Sequence, residues 1–254
     1  MSMLSVQDLT IKWGGVTAVK DLSFEVMPKE IFSIIGPNGA GKTTTLNMIS
    51  RLYDPTGGSI KLSGEDITRR GAHEVAGMGM ARTFQNIELF EHASVLDNLL
   101  MGRHAVSRGS LLGDLLFTRS AWQRERDNRR VAEEVIDFLE IERYRNVTVA
   151  GLPYGVRKQV ELARALCMRP KLLLLDEPCS GLNPEERRDM TFWIQDLRNL
   201  LGMTVILIEH DMSVVAKVSD RVLALNYGEV MALGTPAEVQ RNPQVIKAYL
   251  GDQA

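Results

Sequence analysis

Cysteine is scarce in this chain of 254 residues: only Cys167 and Cys179 occur, twelve positions apart. This spacing excludes the closely spaced cysteine pairs of zinc sites and speaks against a disulfide framework. So few cysteines are typical of a protein from a reducing compartment. We therefore expect both thiols to be small packing residues, with Cys179 near the candidate reactive site described below.

Long apolar runs are missing as well. No segment approaches the roughly 18 consecutive apolar residues that a membrane-spanning helix needs. Residues 1–13 also lack the basic start and the apolar stretch of a secretory signal peptide. By itself the chain is expected to be cytosolic.

An excess of charge of one sign is absent too. The 30 Lys and Arg residues nearly balance the 32 Asp and Glu residues, which gives a net charge of −2. A general nucleic-acid-binding protein carries a basic footprint, so we do not expect nucleic acid as a partner. With 44% hydrophobic and 24% charged residues, the composition is that of an ordinary soluble globular protein.

Short apolar runs predict three buried strands, at residues 31–35, 172–176 and 204–209. A glycine-rich turn and a helical stretch follow the first strand. A helix predicted from Pro184 to about Leu201 separates the other two, because proline suits a first helical turn. Strands that alternate with helices in this way predict a mostly parallel sheet covered by helices.

The two ends of the chain have a different pattern. Alternating apolar residues between Leu4 and Val26 predict β-strands that form an antiparallel portion at the N-terminus. Near the other end, a short strand pair is predicted around residues 226–229. Thr235 and Pro236 then have the character of an N-cap and a first-turn proline.

A phosphate-binding loop is predicted at residues 36–43, "GPNGAGKT", which matches the pattern G-x-x-x-x-G-K-[ST] between a strand and a helix. Glycines let backbone N–H groups turn inward toward a polyphosphate, and the helix N-terminus adds its positive end. Lys42 should reach the β- and γ-phosphates, and the Thr43 hydroxyl should bind Mg²⁺. The predicted ATP-binding residues of this segment are Gly36, Pro37, Asn38, Gly39, Ala40, Gly41, Lys42, Thr43 and Thr44.

These patterns together predict an α/β fold. Its P-loop NTPase core has a mostly parallel sheet and an N-terminal antiparallel β portion. The core is predicted to comprise residues 1–88 and 169–254. The segment 89–168 has helix-like stretches near residues 94–102 and 121–140 and little that predicts a strand, so we expect it to be an inserted helical subdomain within one domain.

The segment "LLLLDEP", residues 172–178, supplies two carboxylates at the end of a buried strand. Asp176 is predicted to hold Mg²⁺, and Glu177 to polarise an attacking water as general base. An isolated Asp-Glu pair more often belongs to a turn, but the phosphate loop favours the functional interpretation. His210 ends another predicted strand at the same rim. Gln85 lies between core and helical segment, where composition alone marks only a polar residue.

Taken together, these motifs resemble the ATP-binding subunit of ABC transporters, and the resemblance covers essentially the whole chain. The motifs occur in the order of that family. They are Trp13, the loop at 36–43, Gln85, "LPYGV" at 152–156, "LLLLDEP" at 172–178, "SGLN" at 180–183, and His210.

The resemblance implies roles for individual residues. Trp13 would stack on the adenine, and the less favoured alternative is an ordinary surface or core tryptophan. Gln85 would sense Mg²⁺ and the γ-phosphate, which places it with Thr43 and Asp176 in the metal site. His210 would contact the γ-phosphate and join Gln85 and Glu177 in catalysis.

The segment 152–156 is implied to act on another chain. In this family two ATPase subunits close head to tail, so Tyr154 and Gly155 would contact the γ-phosphate held by the partner. The sequence departs from the common L-S-G-G-Q at three positions, Pro153, Tyr154 and Val156, and we expect weaker closure than with serine at 153. The alternative is a plain helix start with solvated Arg157 and Lys158.

Asn183 in the nearby "SGLN" stands where aspartate is frequent in this family, which leaves its expected contact across the dimer open.

Finer features, such as "LPYGVRKQVELARAL" and the ending "GTPAEVQRNPQVIKAYLG", look like the subgroup that serves branched-chain amino-acid importers. The resemblance implies a Mg²⁺-dependent ATPase with three kinds of partner: a second ATPase subunit, either identical or different, integral membrane permease subunits and, indirectly, a solute-binding protein. It also implies a peripheral position on the inner face of the cell membrane.

Three alternatives stay open at this point. Related importers for urea or short amides have similar ATPase subunits. A non-transport ABC ATPase acting on DNA or ribosomes would usually join two ATPase units or insert long coiled coils, and neither is present here. A P-loop kinase would need an acceptor site and would not explain Gln85, the segment 152–156 and His210.

Overall fold

A computed structural model describes residues 1–104, 106 and 119–250. Its larger sheet has six strands in the order β10-β9-β3-β8-β7-β6, and every neighbouring pair is parallel except β9 with β10. The strands are β3 (Ile31–Ile35), β6 (Met80–Arg82), β7 (Leu172–Asp176), β8 (Thr204–Ile208), β9 (Arg221–Asn226) and β10 (Glu229–Gly234). The predicted mostly parallel sheet is confirmed.

The smaller sheet is antiparallel and has the order β2-β1-β4-β5. Its strands are β1 (Leu4–Trp13), β2 (Val16–Val26), β4 (Gly57–Leu62) and β5 (Glu65–Asp66). The expected N-terminal antiparallel portion is therefore confirmed. Sequence patterning did not identify β4 and β5, because β4 begins with two glycines, which weaken a strand pattern, and β5 has only two residues.

Nine α-helices occur in the described part of the chain, together with two short 3₁₀ turns at Glu142–Tyr144 and Val149–Gly151. The helices are α1 (Lys42–Ile49), α2 (Ala72–Gly77), α3 (Val95–His104), α4 (Arg119–Phe138), α5 (Tyr154–Leu166), α6 (Pro184–Asn199), α7 (Met212–Val218), α8 (Pro236–Gln240) and α9 (Pro243–Leu250). The predicted helices at 94–102, 121–140 and 184–201 correspond to α3, α4 and α6, with ends shifted by two residues or fewer. Within residues 1–104, 106 and 119–250, no helix is long and apolar enough to cross a membrane.

The hydrophobic core has two main parts. One contains residues of both sheets and of α1, and the other joins the helical segment to the parallel sheet through residues such as Leu99, Leu166 and Leu173. The helical segment therefore shares its core with the sheet, and its division from the rest at residues 88 and 168 stays a prediction.

Three parallel strands place the candidate site. β3, β7 and β8 are neighbours, and their carboxyl ends meet at one edge of the sheet. The segments that follow them carry the phosphate loop, the Asp-Glu pair and His210. Ligands of open α/β sheets bind at such an edge.

Candidate active site

The loop between β3 and α1 is shaped by glycine. Gly36 has a φ of 151°, and a Cβ there would lie 2.2 Å from the carbonyl oxygen of Leu225. Gly41 has a φ of 95°, and its Cβ would lie 2.8 Å from the carbonyl oxygen of Ala18. Residues with a Cβ rarely adopt these positive φ values, and a Cβ would collide with main-chain atoms at both positions. The turn between β9 and β10 packs against the same loop, where the Gly228 N–H donates to Ala40 O at 3.0 Å.

The Lys42 side chain folds back over the loop. Its ammonium donates to the carbonyl oxygens of Gly36 at 2.8 Å and Pro37 at 3.0 Å. Burial lowers the pKa of Lys42, while the nearby carboxylates of Glu177 and Asp176 act in the opposite direction. The carbonyl oxygens of the loop thus hold the Lys42 ammonium within it.

A cleft of about 270 Å³ lies beside this loop. It is lined by Ala18, Asn38, Gly39, Ala40, Gly41, Lys42, Thr43, Thr44, Gln85 and Glu177. Most of the predicted ATP-binding residues thus share one cavity with two of the three predicted catalytic side chains.

Glu177 is the centre of the predicted catalytic group. It has a φ of 52°, a left-handed conformation that non-glycine residues adopt mainly where surrounding structure enforces it, often at functional sites. Gln85 Nε2 donates to Glu177 Oε2 at 3.1 Å, and His210 Nε2 contacts Glu177 Oε1. The structure therefore brings Gln85, Glu177 and His210 together. His210 lies two residues beyond the end of β8 at Ile208, so the prediction that it ends the strand was wrong by that distance.

Asp176 is buried beside this group and pairs with a residue that the sequence did not single out. Arg82 donates to Asp176 Oδ2 at 2.9 Å and, from its other terminal nitrogen, to Asn47 Oδ1 on α1 and to Ser50 Oγ at the C-cap of α1. The side chains are 7% and 0% exposed. Burial raises the pKa of Asp176, and Arg82 opposes that effect. Asp176 Oδ1 has no hydrogen-bond partner among the described residues.

A second buried carboxylate, Glu209, supports the same rim. Its oxygens accept hydrogen bonds from the backbone N–H groups of Cys179 at 2.8 Å and His210 at 3.2 Å. Burial raises the pKa of Glu209 and also of the Cys179 thiol, which the Glu209 carboxylate raises further. Cys167 is buried as well, and burial raises its pKa to about 12. Both cysteines are packing residues, as expected.

The start of α5 is built differently. Pro153 is the N-cap, one residue before the first helical turn, and makes no side-chain cap hydrogen bond in the described structure. Tyr154 is 48% exposed, and its ring packs against Gly181 of the following loop. Gly155 is buried, and a Cβ at this position would lie 2.2 Å from the carboxylate of Glu186.

The same helix overturns one expectation. Lys158, which the plain-helix alternative treats as solvated, is 3% exposed and lies beside Glu161, also 3% exposed. The two side chains form an ion pair at 3.9 Å. Their position follows from the helical repeat, which turns both toward the loop after β6; the sequence offered no signal of this.

Asn183 is the N-cap of α6. Its Oδ1 accepts from the N–H groups of Glu185 at 2.9 Å and Glu186 at 3.0 Å, and Glu186 accepts from Asn183 N–H in return. This is a capping box, in which asparagine and aspartate serve equally well. The substitution therefore leaves the local fold unchanged.

Trp13 lies apart from this cluster. It is 48% exposed and stands edge-on to Tyr53, with ring centroids 5.4 Å apart. Trp13 is not among the described residues that line the cleft. Its contact with adenine stays a prediction.

Two protein-family models match this chain. The family model described as "ABC transporter" matches residues 19–180, and one described as "Branched-chain amino acid ATP-binding cassette transporter" matches residues 229–254. The chain is 40% identical over 250 residues to the high-affinity branched-chain amino acid transport ATP-binding protein BraF of Pseudomonas aeruginosa, and the alignment covers 98% of each.

Two solved structures have a similar fold. One is the ADP conformation of an ATP-binding cassette of an ABC transporter, with a TM-score of 0.87, 28% identity and coverage of 99% of this chain and 100% of that one. The other is a dimeric cassette in a post-hydrolysis state bound to ADP and Pi, with a TM-score of 0.78, 26% identity and coverage of 92% and 99%. This chain belongs to the ABC transporter family, in which it is an ATP-binding cassette and an ATPase.

Proposed function

We propose that this chain hydrolyses Mg²⁺-bound ATP at the seam between two ATPase subunits and so drives the import of branched-chain amino acids. The observation that carries the proposal is the position of Glu177 in the phosphate-loop cleft. Its two oxygens are held by Gln85 and His210. A carboxylate oriented in this way can polarise a water aimed at the γ-phosphate.

The residues present fit Mg²⁺. This ion takes oxygen ligands, usually one or two carboxylates together with substrate phosphates. Asp176 Oδ1 is buried and without a hydrogen-bond partner among the described residues, which is the kind of oxygen that an ion or its bound water would satisfy. Thr43, Gln85 and Asp176 would hold the ion. When bound, it neutralises charge on the phosphate oxygens.

The other residues of the chain bind and orient. Lys42 and the backbone N–H groups of the loop at residues 36–44, other than Pro37, which has none, hold the phosphates and so fix the γ-phosphate in front of Glu177. A carboxylate has about four acceptor sites, so the contacts with Gln85 and His210 leave Glu177 able to accept from a water. Positioning of this kind supplies most of the catalysis in phosphoryl transfer.

The start of α5 supports action across a dimer. The first backbone helical bond of α5 runs from Arg157 N–H to Pro153 O, so the preceding amides have no intrahelical partner. Such a helix start favours an anion. We propose that Tyr154 and Gly155 contact the γ-phosphate of the partner. The similarity to a dimeric cassette bound to ADP and Pi supports this arrangement.

The transport role rests on other observations. The similarity to BraF over nearly the whole chain and the C-terminal match support branched-chain amino acids as the imported solute. An apolar groove of about 180 Å³, lined by side chains that include Leu52, Val75, Phe84 and Met168, lies beside the Gln85 loop. It suits an apolar segment of an integral membrane permease subunit. The chain would then lie on the inner face of the cell membrane, and a solute-binding protein would act indirectly.

Two measurements test the proposal. ATPase activity per chain should rise with protein concentration, because the complete site needs two subunits. From native membranes, the chain should co-purify with polytopic membrane proteins, and these should stimulate its ATPase activity when branched-chain amino acid and its binding protein are supplied. Turnover per chain that does not depend on protein concentration would contradict hydrolysis at a dimer seam. Stimulation by urea or short amides but not by branched-chain amino acids would change the proposed solute to one of those compounds.

A further inference from the structure

Helix α5 has a polar stripe that faces the Gln85 loop. Lys158, Glu161 and Arg164 are three residues apart, so they share one face of the helix. Each contacts the main chain of the loop after β6. Lys158 Nζ donates to Gln85 O at 3.1 Å, Phe84 N–H donates to Glu161 Oε1 at 3.1 Å, and Arg164 donates to Glu88 O at 2.6 Å.

Two of these side chains are charged and almost fully buried. Lys158 and Glu161 are each 3% exposed, and burying a charge is costly unless it is paired and hydrogen-bonded. Their ion pair, at 3.9 Å, is longer than a direct hydrogen bond. The main-chain groups of Phe84 and Gln85 therefore provide much of their compensation. If the loop moved away from α5, it would leave two buried charges without these partners.

The loop in turn carries the side chain that contacts the general base, because Gln85 Nε2 donates to Glu177 Oε2. Helix α5 begins at Tyr154, about one helical turn before Lys158. One rigid element thus joins the segment proposed to contact the partner's nucleotide to the residue that contacts Glu177 in its own chain.

We propose that Lys158 and Glu161 are positioning residues for Gln85. They fasten the main chain of residues 84–85 to α5, so that a displacement of the first turn of α5 moves Gln85 relative to Glu177. This inference rests on the proposed function of Gln85 and Glu177 in hydrolysis.

The first test is Lys158→Met, which removes the charge and the donor but keeps an unbranched side chain. We expect kcat for ATP to fall at least about tenfold, because a small misplacement of a catalytic group is enough for such a loss. The KM for ATP should change by less than about twofold, since the phosphate loop is untouched. Amide hydrogen exchange across residues 84–88 should accelerate, which reports on the fastening itself.

A double-mutant cycle separates positioning from general damage. If Lys158 acts through Gln85, then Lys158→Met should add no further loss to Gln85→Ala, whereas independent effects would add. Because a single substitution leaves Glu161 buried and unpaired, the double variant Lys158→Met/Glu161→Gln is measured as well. It removes both charges, keeps an oxygen for Phe84 N–H and loses the contact with Gln85 O, so its kcat should also fall.

The matched control is Arg145→Met. It breaks an ion pair with Glu133 that lies within the helical segment, and it should leave kcat and exchange at residues 84–88 unchanged. Unaltered kcat in both Lys158 variants, or a loss that adds in full to the residual activity of Gln85→Ala, would overturn the proposal while Gln85→Ala itself remains strongly impaired. A fully active Gln85→Ala protein would instead refute the role of Gln85 and this inference with it.

Discussion

The phosphate loop and the start of α5 are both helix N-termini suited to an anion, yet their surroundings differ. The loop is enclosed: Gly36 packs on Leu225, Gly41 packs on Ala18, and the Lys42 ammonium donates to the carbonyl oxygen of Gly36. The start of α5 has a proline N-cap without a side-chain cap bond, and Tyr154 is half exposed. The first is a cradle formed within a single chain, and the second is a surface that, under the proposed function, acts on a second chain.

Glu177→Gln should have the largest effect and should separate the two regions. Without its negative charge the side chain cannot act as general base, so turnover should fall by about 100-fold or more. ATP binding should persist, because the enclosed loop is unchanged, and closed dimers should accumulate. Size-exclusion chromatography with ATP and Mg²⁺, alongside a turnover assay, measures both. Full activity in this variant would remove Glu177 from its proposed role.

Arg82→Met tests the enclosed side. It leaves Asp176 buried without its cation, and breaking a buried pair in this way costs on the order of 3–5 kcal/mol in the free energy of unfolding. Denaturant unfolding measures the loss. The folded fraction should also need a higher Mg²⁺ concentration for activity, because Arg82 no longer holds the Asp176 carboxylate through Oδ2.

Two comparisons make that test specific. Arg145→Met breaks a partly exposed pair, with side chains 31% and 34% exposed, and should lower the free energy of unfolding far less than Arg82→Met does, because solvent screens such pairs. Arg82→Met/Asp176→Asn removes both charges and should regain part of the stability lost in the single variant. If Arg82→Met unfolds at the same denaturant concentration as the wild type, Arg82 does not stabilise Asp176.

The contrast also explains which site residues could be predicted from the sequence. Two short sequence patterns contain most of the predicted site. The phosphate loop lies within residues 36–43, and Asp176 and Glu177 lie within residues 172–178, so local spacing was enough to predict their chemistry. Arg82 and Glu161 were not predicted, because their partners are 94 and 77 positions away in the chain and only the packed structure brings them together. Burial of Lys158 was missed for the same reason: helical spacing indicates a shared face but not what that face contacts.

Pro153→Ser is expected to have the smallest effect, and it acts on the open side. Serine at the N-cap can accept a hydrogen bond from an amide of the first turn, which stabilises a helix start by about 0.5–2 kcal/mol. The hydroxyl would also be a donor that proline lacks, at the surface that we propose contacts the partner's γ-phosphate. We therefore expect the ATP concentration needed for dimer closure to fall a few-fold, with nucleotide binding by the single chain unchanged.

The control for that change is Pro153→Ala, which removes the proline ring without adding a hydroxyl. If the hydroxyl is responsible, the alanine variant should require as much ATP for closure as the wild type, measured by light scattering across an ATP titration in the Glu177→Gln background. Equal gains in both variants would assign the effect to loss of the ring. An unchanged or higher ATP requirement with serine would mean that the proline does not weaken closure.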